Sequence, residues 1–486
     1  MSDAAPSTTA HDAPHLRRVL GRSDLVLLFV VAVVNLNIVP VVAGGGPVVL
    51  WLWLLALVLF FWPQGVAVIE FSGRYPGEGG VYLWTKEQFG NWHGFLSGWC
   101  YWTNNVFYVP TVLLYLVGIS VYVAGPQAAD LANNRIFALC FSVGLLWLLV
   151  GLNVRGLGVG KWVNNLGGIG TAITGVALIG LGILIWRMQG TGFRATNFSV
   201  HAADWQIVSS FGVICFGLVG LELGSVMGDE IRDPRRTISS AVILGGMLSA
   251  VLYVGATLAV LIALPRSEIG VTQGILQAIS KMAAITQLGW MISPLALVLS
   301  ISIAGIASAW LAGSARIPFV AGLDRYLPAA LGRLHPRFET PYVALIAHAA
   351  LSTLVVLMSF VGATVKEAYV TLLDLAVVLQ LVPFLYIHAG LLRIAVKGPR
   401  EAGHYSRGAL WAAGLSGLLT TALGMVVAFV PSRQIESVWL FELKMLLGCA
   451  FFLGVARFLF RTNAGCKAQE ELCAVDAKSG STGEVI

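Results

Sequence analysis

The stretch WQIVSSFGVICFGLVGLELGSVMGDEIRDPRRTI, Trp205 to Ile238, decides the fold. It is apolar over the length of a membrane crossing, places glycines at 212, 217, 220 and 224, and puts one carboxylate, Glu222, where hydrocarbon should be. A charge cluster around Asp233-Pro234 closes it. An uncompensated carboxylate at that depth costs at least about 2.5 kcal/mol, so the helix is expected to line a polar path through the membrane. The rest of the chain agrees: of 486 residues 57% are hydrophobic and only 11% charged, against roughly 25% charged in soluble domains. The composition is that of an all-α polytopic membrane protein.

Apolar runs near twenty residues, each able to cross the hydrocarbon core, number twelve, approximately at 23–43, 47–72, 93–123, 134–152, 163–186, 206–228, 239–264, 291–321, 341–361, 367–395, 408–430 and 436–460. Lys and Arg accumulate on the cytoplasmic side of spanning chains. With both termini inside, only Arg135, Arg187, Arg194, Arg266, Lys281, Lys366 and Arg433 fall outside, and Lys444 lies in the last span. The net charge of +6 is therefore mostly topogenic, and a nucleic-acid partner has no support. No cleavable signal is visible, because residues 1–22 are polar and the first run is long enough to stay as an anchor. Four cysteines lie in spans and two in the tail at 462–486, so no disulfide framework is expected.

Span 1 carries Asn35-Leu36-Asn37, Pro40 and Gly44-Gly45-Gly46, whereas span 6 carries the glycines named above. The two spans run in opposite directions, and breaks at corresponding places are the signature of an inverted five-helix repeat with its site at the membrane midplane. This reading divides the membrane domain, 23–461, into a first repeat at about 23–186, a second at about 206–395 and two extra helices at about 408–460. Close helix packing is the alternative use of such glycines.

Four segments then resemble the amino acid, polyamine and organocation transporter superfamily, in its amino acid permease type. They are GRYPGEGGVYLWTKEQFG (73–90), FGLVGLELGSVMGDEIRDPRRTI (216–238), WLAGSARIPFVAGLDRYLPAALGRLHPRFETPYVAL (310–345) and LVPFLY (381–386), in order across nearly the whole membrane domain. The resemblance implies a LeuT-like fold in which helices 1, 3, 6, 8 and 10 surround the substrate. It implies that backbone groups at Asn35, Leu36, Asn37 and Ile38 in helix 1, and at Gly217 and Val219 in helix 6, meet the substrate's amine and carboxylate. Asn35-Leu36-Asn37 stands where the family commonly has Gly-Ser-Gly, which bears directly on carboxylate binding. The resemblance further implies aromatic gates at Phe216 and Trp310, a coupling carboxyl at Glu222, and side-chain contacts from Asn104, Asn105, Tyr108 and Asp374.

Each residue also has a structural alternative. Glu222 reads as a protonatable switch or as a hydrogen-bonded packing residue, and Asp374 as a partner for a substrate amine or for a neighbouring helix. Phe216 and Trp310 either stack on a ligand or pack in the core. Asn104 and Asn105 face directions about 100° apart, so one of them points inward. Glu70 and the cluster from Asp229 to Arg236 read as an inner-gate ion network or as a solvated face. His348 and His388 are structural.

The expected activity is secondary transport of amino acids across the cell membrane by alternating access, with a polyamine or other cationic amine as the alternative substrate. No enzyme chemistry and no cofactor are expected. Coupling to protons or sodium, or plain exchange, all fit. The stretch VNNLGGIGTAITGVALIG (163–180) lacks the lysine some proton-coupled relatives place in helix 5. Ser308 is the candidate hard ligand for sodium, although a helical serine usually bonds its own backbone. The partners are a small-molecule substrate and the lipid bilayer, with oligomeric state open.

Overall fold

Apolar segments in a bilayer must satisfy their own backbone, and helices do so segment by segment. The computed structural model describes residues 18–190, 193, 205–232, 234–359, 365–397, 403–430 and 437–480. In chain order the helices are α1 (Arg22–Val33), α2 (Val39–Ala43), α3 (Val49–Ala56), α4 (Trp62–Arg74), α5 (Val81–Phe89), α6 (Asn91–Ser120), α7 (Arg135–Val154), α8 (Leu157–Gln189) and α9 (Trp205–Gly217). There follow α10 (Leu223–Val226), α11 (Pro234–Ala263), α12 (Gly274–Ile285), α13 (Ile292–Ser314), α14 (Arg316–Leu323), α15 (Tyr342–Ser359), α16 (Val365–Lys397), α17 (Arg407–Val427) and α18 (Val438–Gly480).

Ten helical spans among the described residues are long and apolar enough to cross a membrane. Two of the expected runs fall short of that length, because the sixth is split into α9 and α10 and the ninth is the shorter α15. Two helices outside the expected runs, α5 and α12, carry mixed polar and apolar sequence that a search for long apolar runs passes over. Most of the expected N-tail lies outside the described residues, and α18 continues as helix to Gly480, past the expected end of its span.

Both expected interruptions are present. In span 1, Val34 (φ −80°, ψ 79°) and Asn35 (φ −84°, ψ 82°) leave the helical region, a 3-10 turn covers Leu36–Ile38, and Pro40 sits in the first turn of α2. Proline fits there because its missing N–H would be unbonded anyway. In span 6, α9 ends at Gly217 and residues 218–222 are not helical before α10. Gly220 has φ +134°, and a Cβ added to it would lie 3.0 Å from the carbonyl carbon and oxygen of Ala32. The break of span 6 therefore packs directly on the end of α1. Around this junction α1 packs on α8, α11 and α13, α6 on α13 and α16, and α16 on α9.

Gly220→Ala should lower stability by about 1–3 kcal/mol, since it meets both an unfavourable backbone region and a backbone clash. Thermal unfolding in detergent should show a clear drop, whereas Gly151→Ala in α7, where a Cβ meets nothing within 4 Å, should leave the midpoint unchanged or slightly raised.

Candidate functional site

Tyr253, fully buried on α11, reaches both breaks with one hydroxyl. Its oxygen accepts the Asn35 N–H at 2.8 Å and lies 2.5 Å from the Val33 carbonyl oxygen and 2.7 Å from that of Gly217. A hydroxyl has one proton, so at any instant it serves only one of the two carbonyls. Trp53 stacks on the ring, centroids 4.5 Å apart, and fixes its position. Gly217 leaves the required room, because a Cβ there would lie 3.2 Å from Ile38 Cδ1 and 3.3 Å from the Tyr253 hydroxyl.

Three backbone donors of the span 1 break are already engaged, and the Asn35 N–H also meets Val33 O at 2.8 Å. Besides Asn35, the Leu36 N–H bonds Val34 O at 3.2 Å and the Ile38 N–H bonds Asn35 O at 2.9 Å. The Asn35 side chain turns back to donate to Ala32 O at 3.1 Å, an oxygen that also accepts the Trp310 indole N–H at 3.2 Å. Leu36, Asn37 and Ile38 are buried. In span 6, Val219 is likewise buried and its N–H bonds Phe216 O at 3.1 Å.

Glu222 is fully buried beside this junction and does not lack partners. Oε2 accepts Gln64 Nε2 and the Gly220 N–H, both at 2.9 Å, and Oε1 accepts the Tyr101 hydroxyl at 3.0 Å. One carboxyl thus ties α4, α6 and the span 6 break together. Phe216, Tyr108 and Trp310 are brought together as the sequence suggested. Tyr108 meets Phe216 edge-on at 5.0 Å and Trp310 edge-on at 5.9 Å, and Tyr101 adds a fourth ring 6.1 Å from Trp310.

The adjacent asparagines separate as their helical spacing requires. Asn104 Nδ2 crosses to Gln380 Oε1 on α16 at 2.6 Å, while Asn105 Nδ2 bonds Tyr101 O in its own helix at 2.9 Å. Asp374 is buried on α16, and among the described residues it has no ion-pair or hydrogen-bond partner and no ring contact linking it to the aromatic group. Ser308 accepts Asn153 Nδ2 at 3.0 Å, which engages it in the seam between α7 and α13. Among the described residues no group of three or more His, Cys, Asp or Glu is placed to hold a metal ion.

At one end of the bundle the loop from Met227 to Arg232 is laced between two others. Leu20 N–H bonds Glu230 O, Arg232 N–H bonds Leu20 O, and Gly79 N–H bonds Val226 O, at 3.0, 2.9 and 3.0 Å. Arg316 donates to both Glu230 oxygens at 3.0 and 3.2 Å and lies 3.8 Å from Glu78. Glu230 therefore belongs to a buried ion cluster rather than to a solvated face. Glu70 sits apart from that cluster, paired with Arg74 at 2.6 Å and accepting the His404 N–H at 2.9 Å. Asp233 lies outside the described residues.

Sequence reading missed Tyr253, Tyr101, Gln64, Gln380 and Arg316. Gln64 and Gln380 carried a usable signal, since an amide within an apolar span needs a partner there. Tyr253 carried none, because tyrosine is common in spans.

Comparison with known proteins bears on this geometry. The family model described as amino acid permease matches residues 20–451. An uncharacterized transporter of Legionella pneumophila is 27% identical over 95% of this chain and 99% of its own length. The probable agmatine/putrescine antiporter AguD of Lactococcus lactis is 24% identical over 66% of this chain and 67% of its own. The serine/threonine exchanger SteT of Bacillus subtilis is 26% identical over 65% and 70%. The crystal structure of MhsT in complex with L-phenylalanine superposes with TM-score 0.64 at 14% identity, covering 85% of this chain and 99% of that one. That likeness shows the LeuT-like fold.

Two outcomes follow from the site. Tyr253→Phe leaves the Gly217 carbonyl without its hydroxyl donor, at about 1–3 kcal/mol, while the Asn35 N–H keeps Val33 O at 2.8 Å; the unfolding midpoint in detergent should fall although Phe still stacks on Trp53. The second concerns Glu78: burial, then the Glu230 carboxylate, pushes its carboxyl well above its ordinary 4.5, with Arg316 opposing. Between 4.5 and that raised value the folded protein holds a proton the unfolded chain releases, so stability falls as pH rises. Glu78→Gln should therefore unfold at a higher temperature than the parent at pH 8, and the gap should close towards pH 5.

Proposed function

The chain belongs to the amino acid permease family, and from that premise we propose that it is a secondary transporter whose primary handle on its substrate is a cationic amine. It moves that substrate across the cell membrane by alternating access. The carrying observation is the balance of donors and acceptors at the two breaks: the N–H groups of Asn35, Leu36 and Ile38 are taken, and Val33 O accepts that of Asn35, whereas the Gly217 carbonyl depends on the Tyr253 hydroxyl, for which Val33 O competes. An ammonium group brings the donors such a junction is short of; a carboxylate would have to displace Tyr253 from Asn35. The rings of Phe216, Tyr108 and Trp310 offer cation-π faces. Asp374, a buried acid without a counter-charge among the described residues, is the candidate partner for a second positive group.

This chemistry favours a diamine or polyamine, the class printed in the name of AguD. The amino acid reading stands second, favoured by the family description and by SteT. In either case Glu222 is the proposed coupling group, because any tilt of α10 must break its bonds to Gln64 and Tyr101. The bias of Lys and Arg supports a cytoplasmic position for both termini.

Competition for uptake of a labelled diamine into proteoliposomes separates the two readings. Putrescine and agmatine should compete while serine and phenylalanine do not; the reverse pattern would sink the amine reading. Glu222→Gln keeps the acceptor oxygen yet removes the titratable group, and flux should lose its pH dependence.

A further inference from the structure

Between α4 and α11, the face turned to the bilayer opens into a cavity of about 350 Å3. Its walls include Leu57, Phe61, Gly65, Gly246 and Ala250, and its floor is Leu221, a residue of the span 6 break. The rim is exposed at Trp62, Ile243 and Met247, so the cavity is reached from lipid. Leu221 itself is 1% exposed and precedes Glu222 in sequence. Two features of the chain make this opening. A π-helical turn at Leu57–Phe61 interrupts the regular helix between α3 and α4, and Gly65 and Gly246 bring no side chain into the space. A Cβ on Gly246 would lie 3.4 Å from Phe61 Cε1, and one on Gly65 3.7 Å from Val242 Cγ1.

We propose that this groove is a binding site for one acyl chain of a membrane phospholipid, with the middle of the chain crossing Leu221, whose Cδ1 lies 3.9 Å from where a Cβ on Gly65 would stand. The walls are apolar apart from Tyr405 at one end, so they offer water too few partners to hold it. Left empty, the lining would forfeit its dispersion contacts. At this depth the occupant to hand is hydrocarbon. The length also fits: from Leu57 to Ile69 the helix rises roughly 18 Å at about 1.5 Å per residue, against about 15 Å for one leaflet, half of the roughly 30 Å core. Lipid tails are as apolar as leucine, so the hydrophobic effect gives no preference for this site over any other lipid-facing surface. An occupied groove also backs Leu221, so the chain resists displacement of the segment that carries Glu222.

The test uses the full-length protein in liposomes of phosphatidylcholine bearing a photoreactive diazirine midway along one acyl chain, with labelled residues mapped by mass spectrometry. Leu221 is the deciding position, because a buried residue is reached only through the groove. Labelling at Leu221 above that at Leu419 and Val426 on the exposed face of α17, and reduced several-fold by Ala250→Trp, is the expected result. Gly246→Leu serves the same purpose should the tryptophan variant fail to fold. Moving the diazirine next to the glycerol should carry the label away from Leu221. An unlabelled Leu221, or labelling there that neither variant reduces, would overturn the proposal, whatever substrate the protein moves.

Discussion

One tyrosine hydroxyl joins the two places where this membrane protein departs from helix. A broken span exposes backbone groups that lipid cannot satisfy, and each such group left alone costs about 1–3 kcal/mol. Tyr253 addresses three of them at once, the Asn35 N–H and the Val33 and Gly217 carbonyls. Much else follows from keeping that contact possible. Gly217 leaves room for the hydroxyl, Gly220 lets span 6 touch the end of α1, and Trp53 holds the ring in register. Val33 O also accepts the Asn35 N–H, so the carbonyl that competes for the hydroxyl proton without another donor among the described residues is that of Gly217, and a donor for it is what the proposed amine supplies.

A second layer surrounds the first. Glu222 would be prohibitive as a bare charge in a bilayer, yet three donors from α4, α6 and Gly220 converge on it. It is therefore a joint between the span 6 break and the helices around it. The charged end of span 6 works by different means. There Glu230, Glu78 and Arg316 place two carboxyls on one guanidinium in a buried setting, and backbone hydrogen bonds lace the loop to Leu20 and Gly79.

The sequence was most informative where a residue type is rare in its setting. Glu222 among glycines, and Asn35-Leu36-Asn37 with Pro40, located both breaks, because such residues are hard to keep in an uninterrupted lipid-facing helix. The grouping of Phe216, Tyr108 and Trp310 was also legible, but through resemblance rather than periodicity. The partners of these residues were not legible. Tyr253 lies far from Asn35 and Gly217 in sequence, and only packing of α11 against both breaks brings it there. Asn104 illustrates the middle ground: helical spacing said that one of two adjacent asparagines turns inward, and only the fold shows Gln380 waiting for it. Glu70 was grouped with the charge cluster by its position near the same membrane boundary, yet it answers to Arg74 and His404 instead.

The central claim is that the junction of the two breaks recognises an ammonium group before a carboxylate. Matched ligands test it most directly, because a ligand that binds only the folded state raises its unfolding temperature, by an amount that grows with the logarithm of its concentration over Kd. Thermal unfolding of the purified protein should be raised by a diamine and left unchanged by the dicarboxylate of equal chain length, and Tyr253→Phe, which leaves the Gly217 carbonyl to the ligand alone, should preserve or enlarge the diamine's effect. Stabilisation by the dicarboxylate with none from the diamine would contradict the claim.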